Sequence, residues 1–289
     1  MLEWGLLVFA IIFLAIAQAS WYSDSYATAS YSSGGAFTEA TLGEVKNLNP
    51  LFASSNSEKV LSKLMFATLT NADYSGHTGY GLAKSIKSDS TNTVWTVELR
   101  DHLKWSDDTP LTNRDILYTV KTIQDPAVKT IYSSNLAKVK VTEKDNKIIF
   151  TLPSAYTNFP IALNFPIMPA HILEKVSPEL LAEHDFSANP ISSGAFTYNA
   201  VQPVGNEGEK IVYLSANANY YKGRPLLDSF IVHAFLSTDD IRKSLQSGSV
   251  SATAELSVYD GKDLPSDINE RRSAINSGVF ALRDRKSVV

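Results

Sequence analysis

Five histidines, His77, His102, His171, His184 and His233, are the residues of this chain best suited to proton transfer or metal ligation, and they are scattered. Zinc sites declare themselves by close ligand spacing, such as His-x-x-x-His or His-Glu-x-x-His, and neither pair occurs. No cysteine is present, so thiol chemistry, disulfides and Cys-based metal sites are excluded. A nucleophile elbow of the Gly-x-Ser-x-Gly kind and a phosphate-cradling glycine loop are also missing. Gly76, Gly79 and Gly81 have the wrong spacing for a dinucleotide fingerprint and read as a turn. Asp107 and Asp108, within Trp105-Ser106-Asp107-Asp108-Thr109-Pro110-Leu111-Thr112, could be read as a carboxylate pair for acid/base work. In a polar segment with proline, adjacent aspartates more often bond nearby backbone amides and shape a turn, which is the expectation here. Motif chemistry for an enzyme is therefore poor, and no cofactor is expected.

The elements that would position such residues are legible as periodicities. In Thr93–Arg100, Trp95, Val97 and Leu99 alternate with Thr96, Glu98 and Arg100, the pattern of a half-buried strand. Lys138–Thr142 and Lys147–Leu152 flank Lys144-Asp145-Asn146 as a hairpin would. Further strands are expected at Ala195–Asn199, Lys210–Ser215 and Ser229–Phe235. Thr112 with Asp115 resembles a capping box, followed by Ile116, Val120 and Ile123 at helical spacing and closed by Asp125-Pro126. Ser177-Pro178 reads as a helix start, and Asp239 as the cap of a helix carrying Ile241 and Leu245 and ending at Gly248. Hairpins mixed with single helices predict a mixed α/β or α+β fold, not a regular βαβ series.

With 289 residues, 44% hydrophobic and 19% charged, the chain can bury a real core and has room for about two domains. A net charge of −4 without a long Lys/Arg cluster speaks against nucleic-acid binding. Gly5–Ala19 (GLLVFAIIFLAIAQA) is apolar but for Gln18 and is flanked by Trp4 and by Trp21-Tyr22. Its length lies between a signal-peptide core and a spanning helix, and Ala17-Gln18-Ala19 fits a cleavage site. The first basic residue is Lys46, so the basic n-region of a signal is missing. The flanking aromatics suit a membrane interface, and the expectation is a signal or anchor helix over 1–22, retained as an anchor. A Ser-, Tyr- and Gly-rich linker over 20–35 follows.

The motifs fall into an order that resembles a known family. Leu48-Asn49-Pro50-Leu51-Phe52, the helix-like Val60–Thr70, Trp95–Arg100, Leu103–Thr112 and Asp115 come first. Tyr156-Thr157-Asn158-Phe159, Met168-Pro169-Ala170-His171-Ile172-Leu173, Pro190–Phe196 and Asn219-Tyr220-Tyr221-Lys222-Gly223-Arg224-Pro225 follow. Together they resemble the family 5 solute-binding proteins, which carry oligopeptides, dipeptides or nickel chelates to ABC permeases. Three features depart from the family pattern. Asp108 stands where glycine is usual, and Ser192 and Ala195 replace glycine and proline in the turn before Phe196. Ser249-Val250-Ser251-Ala252 lacks a customary acidic residue.

The resemblance implies lobes of the type II periplasmic-binding-protein kind. It implies a bipartite first lobe at 36–56 plus 189–274, an inserted domain at 57–188, and a closing lobe of which only 275–289 would be present. Residues 284–289 (DRKSVV) resemble the translation of a sequencing adapter and are expected to be non-native. Ligand contacts are implied at Ala53, Ser54 and Ser55, at Tyr132, and at Ala254, Glu255 and Leu256. The implied function is a monomeric, non-enzymatic peptide-binding component of an ABC importer, outside the cytoplasm, with a permease and the membrane as partners. A membrane-anchored hydrolase and a peptide-sensing receptor are the alternatives. A convergent Ser/His/Asp constellation would favour the hydrolase.

Overall fold

The computed structural model describes residues 33–72, 78–205, 207–257, 268–272 and 278–283. The apolar run at 5–19, the linker up to residue 32 and the tail at 284–289 lie outside the described residues. Among the described residues no helix is long and apolar enough to cross a membrane.

The chain opens with β1 (Ala36–Leu42), whose Ala40 is fully buried, and a loop containing a single 3-10 turn at Pro50–Phe52. Helix α1 (Asn56–Met65) follows. An intervening segment then builds a small pair, β2 (Thr70–Ala72) with β3 (Thr78–Tyr80). It also builds an antiparallel sheet from β4 (Ala83–Ser88), β5 (Val94–Leu99), β6 (Lys140–Lys144) and β7 (Lys147–Thr151) in the order β4-β5-β7-β6. Helix α2 (Asn113–Gln124) starts on the expected Thr112/Asp115 capping box, buries Ile116, Val120 and Ile123 completely, and stops before Pro126. The β6–β7 turn uses Asp145 and Asn146 at φ 51° and 56°, the left-handed pair that a tight hairpin needs. Single turns α3 (Ser133–Leu136), α4 (Phe159–Ala162) and α5 (Ala170–Leu173) complete the segment. At Ser177-Pro178 only a three-residue 3-10 turn forms, over Pro178–Leu180; none of its residues is buried, so no packed face extends it into a helix.

The chain then returns to β1. Strands β8 (Phe196–Pro203), β9 (Lys210–Ala216) and β10 (Ser229–Phe235) form an antiparallel meander, and β10 lies parallel to β1. Helix α6 (Thr238–Ser247) crosses over to β11 (Ala252–Ser257), which lies parallel to β1 on its other side. Strands β12 (Ile268–Arg272) and β13 (Gly278–Arg283) extend the far edge, giving the seven-stranded order β12-β13-β11-β1-β10-β9-β8. The cap of α6 is Ser237, not Asp239: the Ser237 Oγ accepts from the Asp239 amide at 3.2 Å. Gly248, at φ 76°, closes the helix as expected.

One face of the seven-stranded sheet carries a small cluster of Ala40, Phe235, Ile241, Leu245, Val250 and Leu256 under α6. The other face belongs to a large core that runs without a break from Leu61, Val232 and Leu214 into Trp105, Ile116, Phe150 and Phe165 of the intervening segment. A backbone clamp fixes the crossing. The Ser193 and Gly194 amides both donate to the Met65 carbonyl, at 3.0 and 2.8 Å, and the Ser106 amide donates to the Ser192 carbonyl at 2.8 Å. Gly194 is required there, since a Cβ would stand 2.5 Å from the Leu64 carbonyl oxygen.

Candidate functional site

Glu58, in the first turn of α1, organises the loop that precedes it. One carboxylate oxygen accepts from the Lys46 and Asn47 amides, both at 2.9 Å. The other accepts from the Ser54 amide (2.7 Å), the Ser54 hydroxyl (2.9 Å) and the Ser55 amide (3.1 Å). The Ser55 hydroxyl in turn accepts from the Glu58 amide at 3.1 Å, completing a capping box. Burial alone would raise the Glu58 pKa, but the four amides stabilise its charged form and hold it below the usual carboxylate value. Asn47 and Asn49 fasten the same loop to the intervening segment through the carbonyls of Ala182 and Leu181.

Ala53, Ser54 and Ser55 therefore sit on a rigid turn at the head of α1. Both serine hydroxyls and both serine amides are already engaged with Glu58, and the Ser55 carbonyl accepts from the Lys59 amide, which leaves the carbonyls of Ala53 and Ser54 as the turn's main-chain recognition elements. The Asn56 side-chain amide donates to Glu255 at 3.0 Å and brings Ala254–Leu256 against this turn. Ala254 and Glu255 are half-buried, whereas the Leu256 side chain is buried beneath α6. Tyr132 stands elsewhere, at the start of α3, half-buried against the core of the intervening segment, where burial pushes its hydroxyl pKa up. The structure thus unites two of the three expected contact segments.

Sequence reasoning did not single out Glu58, Asn56 or Glu39. For Glu58 a signal existed, because Ser55-Asn56-Ser57-Glu58 is a capping-box pattern. Glu39, on β1, is pushed up to about 7, first by burial and then by the Glu255 charge, against the opposing pull of Lys63.

Asp107 and Asp108 form a turn. The Asp107 carboxylate accepts from the Thr109 amide at 3.0 Å and meets His171 Nε2 at 2.9 Å. Burial raises its pKa, but the His171 and Thr109 bonds outweigh that and hold it low. Asp108 adopts φ 68°, which accounts for the glycine usual at this position, and its carboxylate is held by Lys104 at 3.1 Å and Asn219 at 3.3 Å. His171 also lies against Trp105, with ring centroids 6.1 Å apart. Among the described residues no group of three or more His, Asp or Glu is arranged to hold a metal ion.

Comparison with known proteins matches residues 78–283 to the family described as bacterial extracellular solute-binding proteins, family 5 Middle. The oligopeptide-binding protein AppA of Bacillus subtilis is 28% identical over 255 residues, covering 86% of this chain and 46% of its own length. The periplasmic oligopeptide-binding protein OppA of Salmonella typhimurium is 32% identical over 111 residues, 38% of this chain and 20% of its own. Among solved structures, B. subtilis AppA in complex with a nonapeptide superposes with a TM-score of 0.73 at 24% identity, over 83% of this chain and 48% of that one. The substrate-binding protein CtaP of Listeria monocytogenes gives 0.71 at 27% identity, over 83% and 49%. NikZ of Campylobacter jejuni in complex with Ni(L-His) gives 0.70 at 23%, over 82% and 47%. The chain spans about half the length of AppA. Its mixed α/β architecture, the order of its motifs and the match over residues 78–283 agree: the chain belongs to the family 5 bacterial extracellular solute-binding proteins.

Proposed function

We propose that this chain supplies one wall of a peptide-binding cleft, working outside the cytoplasm as the capture component of an ABC importer. The observation that carries the reading is the junction of the Glu58-organised turn with the bulged end of β11, joined by Asn56 and Glu255. Such a surface offers fixed main-chain groups with few side-chain demands, which suits recognition of peptide backbone regardless of sequence. The oligopeptide-binding relatives support this choice of ligand. In this reading Ala53, Ser54, Ser55, Ala254, Glu255 and Leu256 contribute mainly through backbone, and Tyr132 contributes an aromatic face from the intervening segment. The first lobe comprises 36–56 and 189–274, with 57–188 inserted. A monomer held to the membrane by residues 1–22 delivers its ligand to the permease by hinge closure.

Anisotropy titration of the chain with fluorescein-labelled peptides of three to nine residues tests this. Saturable binding is expected, weakened by Glu58→Gln, which loosens the turn. No saturation below about 1 mM, roughly 4 kcal/mol of affinity, would overturn the peptide reading.

A further inference from the structure

We infer that Glu255 and the carbonyls of Ala53 and Ser54 form an acceptor-only subsite that selects a cationic N–H donor of the ligand, an ammonium or a guanidinium. The peptide groups of the turn are trans, so each carbonyl points opposite to the N–H that shares its plane. The Ser54 and Ser55 amides both point at the Glu58 carboxylate. The carbonyls of Ala53 and Ser54 therefore point away from it. Bonds to a charged acceptor also polarise these peptide groups and strengthen their oxygens as acceptors. The head of a helix ordinarily draws anions through its free amides. Here those amides are taken up by the protein's own carboxylate, and the turn presents oxygen lone pairs instead.

Glu255 supplies a full charge beside them. Its amide is pinned to the Thr253 hydroxyl at 3.2 Å, and the strand beyond it is laddered to β13 at Leu256 with Val279 and Ser257 with Gly278. Its side chain is tied at 3.0 Å by Asn56, two residues past Ser54. Backbone and carboxylate are thus both fixed. Asn56 is a neutral donor, and among the described residues Glu255 forms no ion pair, so its charge is available to a ligand. A carboxylate and two carbonyls accept hydrogen bonds and cannot donate them. A ligand carboxylate placed there would meet repulsion, whereas an ammonium or guanidinium brings several N–H donors and the opposite charge. Backbone recognition is indifferent to side chains; this corner adds one demand. The inference rests on the peptide-binding reading and narrows it to peptides that carry a cationic group at this point.

Anisotropy titration of the chain with matched peptides, labelled at the C-terminus with fluorescein, tests it. Each position in turn carries Lys, Gln or Glu, and each peptide is made with a free and with an acetylated N-terminus. A lysine peptide is expected to bind about fivefold more tightly than its glutamate counterpart where a side chain fills the subsite. The free amine should exceed the acetylated form by about the same factor where the terminus fills it. Whichever preference is seen should be lost in Glu255→Gln. Glutamine keeps the shape and still accepts from Asn56, so folding is not at stake. Saturable binding with neither preference, or a preference that survives Glu255→Gln, overturns the subsite and leaves the peptide-binding reading standing. No saturation with any of the peptides overturns both.

Discussion

At Glu58 a single carboxylate accepts from the backbone amides of Lys46, Asn47, Ser54 and Ser55. Replacing it with glutamine turns an NH2 toward donors that need an acceptor and leaves part-buried amides unpaired. Glu58→Gln is expected to lower stability by about 3 kcal/mol, read by urea denaturation followed by far-UV circular dichroism. Because the folded pKa of Glu58 lies below its unfolded value of 4.5, this contribution is complete above pH 4.5 and is lost as pH falls below it. The stability gap between parent and variant should therefore close in acid; a gap independent of pH would show that the charge is not what matters. The Ser55–Glu58 half of this arrangement is legible as a local pattern. The reach to Lys46 and Asn47 is not, since it depends on the path by which the loop doubles back. Glu39 was beyond sequence reasoning for a similar reason: its raised pKa comes first from burial in the folded sheet and then from Glu255, more distant along the chain than any local pattern extends.

Strands and helices were easier to read than single residues. Alternation located β5, β7, β9 and β10, and the Thr112/Asp115 box located α2 within a residue. Helix α1 begins at Asn56 and ends at Met65, earlier than the Val60–Thr70 pattern suggested, because the capping box starts it and the clamp to Ser193 and Gly194 draws the chain away at Phe66. The two parallel neighbours of β1 could not be inferred, since period-two patterning fixes a strand's faces and says nothing of its partners. Gly194 tests the clamp. Its missing side chain lets the backbone approach Leu64 and Met65, and no flexible side chain is there to yield. Gly194→Ala is expected to cost about 3 kcal/mol, whereas Gly223→Ala, with open space around it but φ 89°, should cost only about 1 kcal/mol from backbone strain. Equal losses in thermal denaturation would show that the close approach is unimportant.

Across the whole molecule, the large core ignores the boundary between the sheet built on β1 and the intervening segment. Two bodies sharing one apolar interior cannot unfold separately without exposing each other's buried faces. Scanning calorimetry is therefore expected to show a single transition with calorimetric and van't Hoff enthalpies in agreement. Two resolved transitions would mean that the continuity is energetically weak. The architecture was legible as mixed α/β, and the order of the motifs pointed to the family; the unbroken core was not foreseeable, because contacts such as Met65 with Ser193 join residues far apart along the chain.

The position of β1 also has a meaning in time. Among the described residues it is the earliest strand along the chain, yet Ala36 pairs with Ser229 on one side and Glu39 with Ala252 on the other. A ribosome adding roughly 5–20 residues per second needs on the order of ten seconds or more to deliver those partners. For that interval the emerging chain trails a strand with two bare edges, and its main sheet has no centre around which to assemble. Rapid early folding is thereby ruled out by topology, and the nascent chain remains a client for holdases until β11 has emerged.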